Sequence, residues 1–430
     1  MSRLFGTDGV RGKAGTYPLD SPTIRRLGAA LARALGHRKS TKFLSGRDTR
    51  ESGGWIEREL AFGIGSQGGS LTGAGIIPTP AIAYLTPRMG YTAGVVISAS
   101  HNPFEDNGIK VFSGAGEKFT EELEQQVEAI IADTSWQVPS GDAPAVEQVD
   151  YRAEYASHLR AILPNVEALG AKRLVIDCAN GATTTIAPRL FEELGFEVRC
   201  IGCEPDGRNI NLKVGSTAPG QLARAVVDGG YPFGIAYDGD AVMLMCAKQM
   251  KREGRLQGNA VVATVMSNIG LEIALRDADI DIVRCPVGDK YVMEEMIRRN
   301  IALGGEQSGH VIFSEYLFTG DGLATSLNVL RTIGATGRTL ADLASELTTY
   351  PQVLVNVRVE RKVDLKTVPE IAKVMSAVES RLAGNGRLLI RYSGTEPLLR
   401  IMIEGQDQRE ISAWADEIAD AVRQHLVAPV

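Results

Sequence analysis

A chain of 430 residues, 44% hydrophobic and 23% charged, has the composition of a globular protein and the length for two to four domains at roughly 100–200 residues each. Its net charge of −6, with no basic block, excludes non-specific nucleic-acid binding, which needs clustered Lys and Arg. No apolar run approaches a membrane span and the start, MSRLFGTDGVRG, lacks the apolar segment of a signal peptide, so a cytoplasmic protein with no membrane or nucleic-acid partner is expected.

Taken in chain order, FGTDGVRG (5–12) sets Arg11 in a glycine-rich loop. A helical run follows at 21–36, then a strand at 42–45 that opens into GRDTRESG, with Arg47, Asp48 and Arg50 close together. The strand at 93–98 falls into the polar loop SASHNP, which holds Ser100 and His101, and the chain climbs back through NGIK to Lys110. The loop after the carboxyl end of a strand is where α/β proteins place chemistry. Ser100 there suits a nucleophile or phosphate carrier with His101 as its base; Ser, Asn and Pro also make an ordinary turn.

The aperiodic stretch 133–150 marks a first boundary. Beyond it, strands at 173–178, 196–202, 233–239 and 281–288 alternate with helices at 182–195, 221–230 and 290–304, the pattern of βαβ units. Five cysteines (Cys178, Cys200, Cys203, Cys246, Cys285) form no disulfide framework. Cys200 and Cys203 have CxxC spacing but no second pair nearby in sequence, so reduced buried thiols are expected rather than a zinc site.

Three more polar loops carry candidates. In YDGDAV, Asp238 and Asp240 flank a glycine after a strand, where two carboxylates can meet one hard cation or simply form a turn. In GGEQSGH, Glu306 and Ser308 offer an acceptor and a hydroxyl suited to sugar hydroxyls. In RYSGTEPLLR, Ser393, Gly394 and Thr395 present hydroxyls and consecutive amides to an anion, with Arg391 and Arg400 as charged partners. The tail differs from the rest: alternating strands at 353–360 and around that loop, with helices at 369–382 and 411–426, read as a smaller α+β domain.

FGTDGVRG, ISASHNP, DGD, GEQSGH and RxSGTEP, in this order, closely resemble the α-D-phosphohexomutases. The FGTDGVRG start, the alanine of SASHNP and the glutamine of GEQSGH, together with DCANGA (177–182), NINLKVGST (209–217) and VGDKYV (287–292), are similar to the branch acting on glucosamine phosphate. The resemblance implies an α/β fold of three related α/β domains with mixed sheets plus a smaller C-terminal α+β domain around a central cleft. The expected divisions are 1–150 (phosphoserine loop), 151–252 (metal loop), 253–360 (sugar loop) and 361–430 (phosphate loop).

It also implies interconversion of glucosamine 6-phosphate and glucosamine 1-phosphate for UDP-N-acetylglucosamine synthesis. The reaction would run through a phosphorylated Ser100 and a glucosamine 1,6-bisphosphate intermediate that turns round in the site. One Mg²⁺ per subunit would sit on Ser100, Asp238 and Asp240. His101, Lys110 and Arg11 would serve acid/base and phosphate contacts. Glu306 and Ser308 would grip the sugar. Arg391, Ser393, Gly394, Thr395 and Arg400 would hold the non-reacting phosphate. The partner is a small phosphosugar, and the chain a monomer or homodimer.

One loop departs from the family, whose metal motif reads Asp-Gly-Asp-x-Asp-Arg. Here DGDA runs straight into VMLM, without the third Asp and the Arg. A two-residue deletion preserves strand phase, so VMLM is expected to pack as before, with weaker metal binding and slower transfer. The alternatives are a non-catalytic phosphosugar-binding homologue and a phosphomannomutase or phosphoglucomutase. A Ser-His hydrolase ranks last, since no G-x-S-x-G elbow is present.

Overall fold

The computed structural model describes residues 4–6, 9–36, 40–170, 172–235, 239–382, 384–393 and 397–426, with the backbone alone at 239–241. Among the described residues four sheets alternate with helices, as the α/β class requires. The largest has six strands, in the order Val10–Lys13, Asp106–Ser113, Ala93–Ile97, Lys42–Arg47, Ser70–Ile76, Glu147–Gln148. Ala93–Ile97 (AGVVI) is buried at every position because it lies between two neighbours, parallel to Lys42–Arg47 and antiparallel to Asp106–Ser113. A strand covered on both faces needs no polar alternation.

Helices cover this sheet. Ser21–Leu35 starts where Asp20 accepts the Thr23 amide at 2.9 Å and Pro22 fits the first turn. It packs on Gly53–Gly65 through glycines: a Cβ on Gly63 would lie 2.0 Å from the Arg25 carbonyl oxygen, and one on Gly28 2.5 Å from that of Leu60. The two backbones approach as closely as they do because neither glycine carries a side chain.

The chain forms two compact units, one of residues 1–265 and 283–344 and the other of residues 266–282 and 345–430. In the first unit, one core runs from the six-stranded sheet (Leu44, Val96) through Tyr155, Leu174, Ile176 and Phe191 to Leu323 and Leu327. Tyr155 seals it by donating its hydroxyl to Asp321 at 2.6 Å. Asp321 also caps the helix Gly322–Thr336, accepting from Leu323 and Ala324. In the second unit, the antiparallel strands Gln352–Arg358, Leu398–Glu404 and Arg387–Tyr392 are ordered with Leu398–Glu404 in the middle. Helices Pro369–Leu382 and Gln408–Leu426 supply Ile371, Val378, Ile411 and Ile418 to its core. The α+β tail expected from the sequence is this sheet with its two helices. No helix among the described residues is long and apolar enough to cross a membrane.

Two expectations are corrected here. VMLM (242–245) is not strand: Gly239–Arg252 is one helix, with Met243, Leu244 and Met245 buried. A run of contiguous apolar residues does not reveal its period, and a buried helix satisfies it as well as a strand does. Cys200 and Cys203 are not free thiols: the structure pairs them as a disulfide, while Cys178, Cys246 and Cys285 are free.

Two predictions follow from the packing. Gly63→Ala forces the backbones of two helices apart, which costs about 1–3 kcal/mol and outweighs the roughly 1 kcal/mol gained in helix propensity; the melting temperature falls. The second concerns His158, which stacks on Tyr84 with ring centroids 4.1 Å apart. Its buried Nε2 has no hydrogen-bond partner among the described residues. Burial first, then Arg88, lowers its pKa from the ordinary value. The unfolded chain therefore takes up a proton that the folded one resists, so this contribution is present above about pH 6.5 and is lost as pH falls below it. Urea midpoints measured from pH 8 to pH 5 decline on the acid side, and His158→Phe makes that decline shallower.

Candidate active site

The strand Ala93–Ile97 ends in a tight loop. The Ser98 hydroxyl accepts the Ser100 amide at 3.2 Å, and Asn102 N–H closes a turn on the Ala99 carbonyl at 3.1 Å. Ser100 has φ 53°, the left-handed region that non-glycine residues adopt at a cost. His101 is exposed and Lys110 is buried. Lys110 lies opposite Val96 on the antiparallel return strand, so it stands beside the strand that delivers Ser100. Arg11, expected in a loop, is on the edge strand Val10–Lys13 opposite Gly108.

Two side chains hold this loop by its backbone. Arg50, fully buried, pairs with Asp48 and donates through Nη2 to the carbonyls of Ser100 (3.2 Å) and Asn102 (2.6 Å). Asn211 donates its Nδ2 to the same two carbonyls, at 2.9 and 3.2 Å. Asn211 itself has φ 60°, and its amide bonds to the Ala179 carbonyl at 2.9 Å. The DCANGA segment is tied in turn to the loop at 49–51 by the Thr49 hydroxyl, which donates to the Asn180 carbonyl, and Glu51 N–H of the same loop donates to Gly207 O at 3.0 Å. Sequence reasoning singled out Arg50 but gave Asn211 no role. Its only trace there was the polar, turn-like NINLK.

The other loops are placed as follows. Glu306 is buried; one carboxylate oxygen accepts the Gly288 amide at 3.0 Å and the other lies 3.4 Å from His310 Nδ1. Ser308 is exposed. The helix that follows Gly288, Asp289–Arg299, is joined to the segment after the Ser100 hairpin by two ion pairs, Lys290 with Glu124 at 3.0 Å and Asp289 with Lys118. In the second unit, Ser393 is buried and its carbonyl accepts Lys362 Nζ at 2.7 Å. Arg391 and Arg400 are direct cross-strand partners. Gly394, Thr395 and Asp238 lie outside the described residues, as does the side chain of Asp240.

Models of the phosphoglucomutase/phosphomannomutase family match the chain in four parts. They are alpha/beta/alpha domain I at residues 2–138, domain II at 153–251, domain III at 238–350 and the C-terminal domain at 354–421. The chain belongs to this family. A phosphoglucosamine mutase of Syntrophotalea carbinolica is 46% identical over 447 residues, covering 99% of this chain and 98% of the relative. Seven further relatives of the same name are 43–46% identical.

Among solved structures, a phosphoglucomutase/phosphomannomutase family protein from Burkholderia thailandensis superposes with a TM-score of 0.76 at 21% identity, covering 98% of this chain and 97% of that one. The Aspergillus fumigatus N-acetylphosphoglucosamine mutase, solved in complex with GlcNAc-6P and magnesium, gives 0.63 at 18% identity, covering 98% and 95%. Both show the fold. The resemblance read from the loops is borne out. Domains II and III are both matched over 238–251, and residues 239–251 of that overlap lie in the single helix Gly239–Arg252.

Asn211→Ala removes two donors to the loop while Arg50 keeps both carbonyls partly satisfied. Hydrogen exchange of the amides at 99–102 then speeds by about tenfold, the equivalent of about 1.4 kcal/mol, and the overall melting temperature changes little.

Proposed function

We propose that this protein interconverts glucosamine 6-phosphate and glucosamine 1-phosphate, with Ser100 as the phosphoryl carrier. The observation that carries the reading is the loop itself: a strained serine, held through its own carbonyl by Arg50 and Asn211, in a chain 46% identical over its length to a phosphoglucosamine mutase.

Phosphoryl transfer asks mainly for in-line positioning and neutralised charge. Ser100 carries the phosphoryl group to one hydroxyl of the sugar phosphate, making glucosamine 1,6-bisphosphate. The bisphosphate turns round, and its other phosphoryl group returns to Ser100. As the bond between phosphorus and the Ser100 oxygen breaks, the attacking sugar hydroxyl loses a proton and the departing Ser100 oxygen takes one up, and the return transfer reverses both; Lys110, His101 and Arg11 are the groups assigned to that proton and to the phosphoryl oxygens. Glu306 and Ser308 hold hydroxyls common to both orientations. Arg391, Ser393, Gly394, Thr395 and Arg400 hold the phosphate that does not react.

Asp238, Asp240 and a phosphoserine oxygen would form an all-oxygen donor set suited to Mg²⁺, which when bound would supply charge neutralisation at the transferring group. After Asp240 the helix continues through Ala241, Val242 and the buried Met243, so it adds no third carboxylate. More of the coordination would fall to water, and the cation would be held less tightly. That observation supports the second reading, phosphosugar binding without turnover. The names of the relatives do not favour it, nor a preference for mannose or glucose phosphates.

Intact-protein mass after incubation with glucosamine 1,6-bisphosphate and Mg²⁺ separates the readings. The mutase gains one phosphate, mapped to Ser100, loses it to glucosamine 6-phosphate, and gains none as Ser100→Ala. A chain that binds the sugar phosphate but never acquires the adduct is a binder. Chelation of Mg²⁺ stops turnover and excess Mg²⁺ restores it.

A further inference from the structure

Cys178, Cys200 and Cys203 meet at one end of the three-stranded parallel sheet in the first unit. Strand Arg173–Asp177 runs parallel to Glu197–Ile201, with Ile176 beside Cys200, and Cys178 N–H donates to Ile201 O at 3.0 Å. Cys178 therefore leaves the first strand where Cys203 leaves the second. The strand pairing supplies the third sulfur that CxxC spacing lacks. The Cys178 sulfur lies 3.9 Å from that of Cys200, and all three sulfurs lie within 4.8 Å of one another. Cys178 is buried and the other two are half-buried, which gives the cluster a closed side and an open one. None of the three has a part in the proposed sugar-phosphate chemistry.

We propose that the three cysteines, once reduced, form a thiolate site for a thiophilic d¹⁰ cation such as Zn²⁺. A metal–sulfur bond of about 2.3 Å sets sulfurs about 3.8–4.0 Å apart around the ion in tetrahedral or trigonal geometry, and the Cys178–Cys200 pair already has that spacing. The cluster contains no carboxylate and no imidazole. An all-sulfur donor set selects soft ions such as Zn²⁺ and Cu⁺ over Mg²⁺. Gly202, with φ 60°, turns the chain between Ile201 and Cys203, and a Cβ there would lie 3.0 Å from the Ala179 amide nitrogen and from Asp177 Oδ1. The loop that carries Cys203 is thus fixed against the one that carries Cys178.

The Cys200–Cys203 disulfide and the bound metal exclude each other, because the disulfide uses two of the three ligands. A phosphine or dithiol reductant supplies the two electrons that break the S–S bond, and each sulfur takes up a proton. Metal capture then releases the thiol protons, including that of Cys178. The site also lies one residue from the backbone that orients Asn211, through the Ala179 carbonyl.

The test uses the full chain in excess Mg²⁺, which fills oxygen sites and leaves thiolates alone. Protein reduced with a phosphine and protein oxidised with a diamide-type oxidant are each titrated with Zn²⁺ against a chromophoric chelator. The reduced form is expected to take one equivalent and the oxidised form none. Cys203→Ser, in a half-buried loop, is expected to fall to the oxidised level. Co²⁺ is expected to give a thiolate charge-transfer band only in the reduced wild-type chain. Equal uptake by reduced and oxidised protein, or no uptake by the reduced form, overturns the proposal, and neither result depends on a variant folding.

Discussion

Two carbonyl oxygens, those of Ser100 and Asn102, are the points on which the site depends. Each accepts from both Arg50 and Asn211. A loop of small polar residues has many conformations of similar energy, and ordering it costs roughly 1–2 kcal/mol per residue. Four hydrogen bonds from two rigid donors, one of them charged, offset that cost and fix where the serine hydroxyl stands. The left-handed φ at Ser100 persists because the surroundings over-determine it.

Arg50 can act as such a donor only because its own burial is compensated. A buried guanidinium is costly unless it is paired and its remaining protons are used. Asp48 supplies the charge and the two carbonyls take Nη2, while the buried Nε has no hydrogen-bond partner among the described residues. Asn211 comes from a segment more than 100 residues away, and a long core brings it there. The apolar cluster that joins Val96 and Ile82 to Ile176, Phe191 and Leu327 makes the first unit one body in which such a reach is fixed. Tyr155 and Asp321 close the same body with a buried hydrogen bond; desolvation raises the Asp321 pKa, so the acid is held toward its neutral form.

The sequence was most informative where the local signal and the tertiary demand agree. The strand at 93–98 was legible because a fully buried strand is uniformly apolar, and the helix at 21–36 because Asp20 and Pro22 mark its start. The loops were legible because each breaks such an element with glycine and hydroxyl residues. What was not legible is set at long range. Asn211 looks like any turn asparagine until the fold brings it to Ser100. Cys178 is 22 residues from Cys200 in sequence and adjacent to it only through parallel strand pairing. VMLM was misread because an apolar tetrapeptide carries no period, and the helix reveals itself only through the residues that follow.

That last misreading changes the chemistry of the metal loop. In a strand-to-strand turn, an aspartate can direct its charge at a cation without competition from the backbone. Here Asp240 occupies the first turn of the helix Gly239–Arg252. The first turn of a helix leaves amide protons without intrahelical partners and concentrates a partial positive charge. A carboxylate at that position is stabilised by the helix, typically by 0.3–1 kcal/mol in exposed settings, and a cation nearby is opposed by the same field. On the proposed reading, the segment weakens a magnesium site twice, by lacking the third carboxylate and by placing the backbone of a remaining aspartate in the first turn of a helix. On that reading the phosphoserine charge is the strongest attraction for the ion, so cation affinity would depend on the phosphorylation state of Ser100 more than it would with three carboxylates in place.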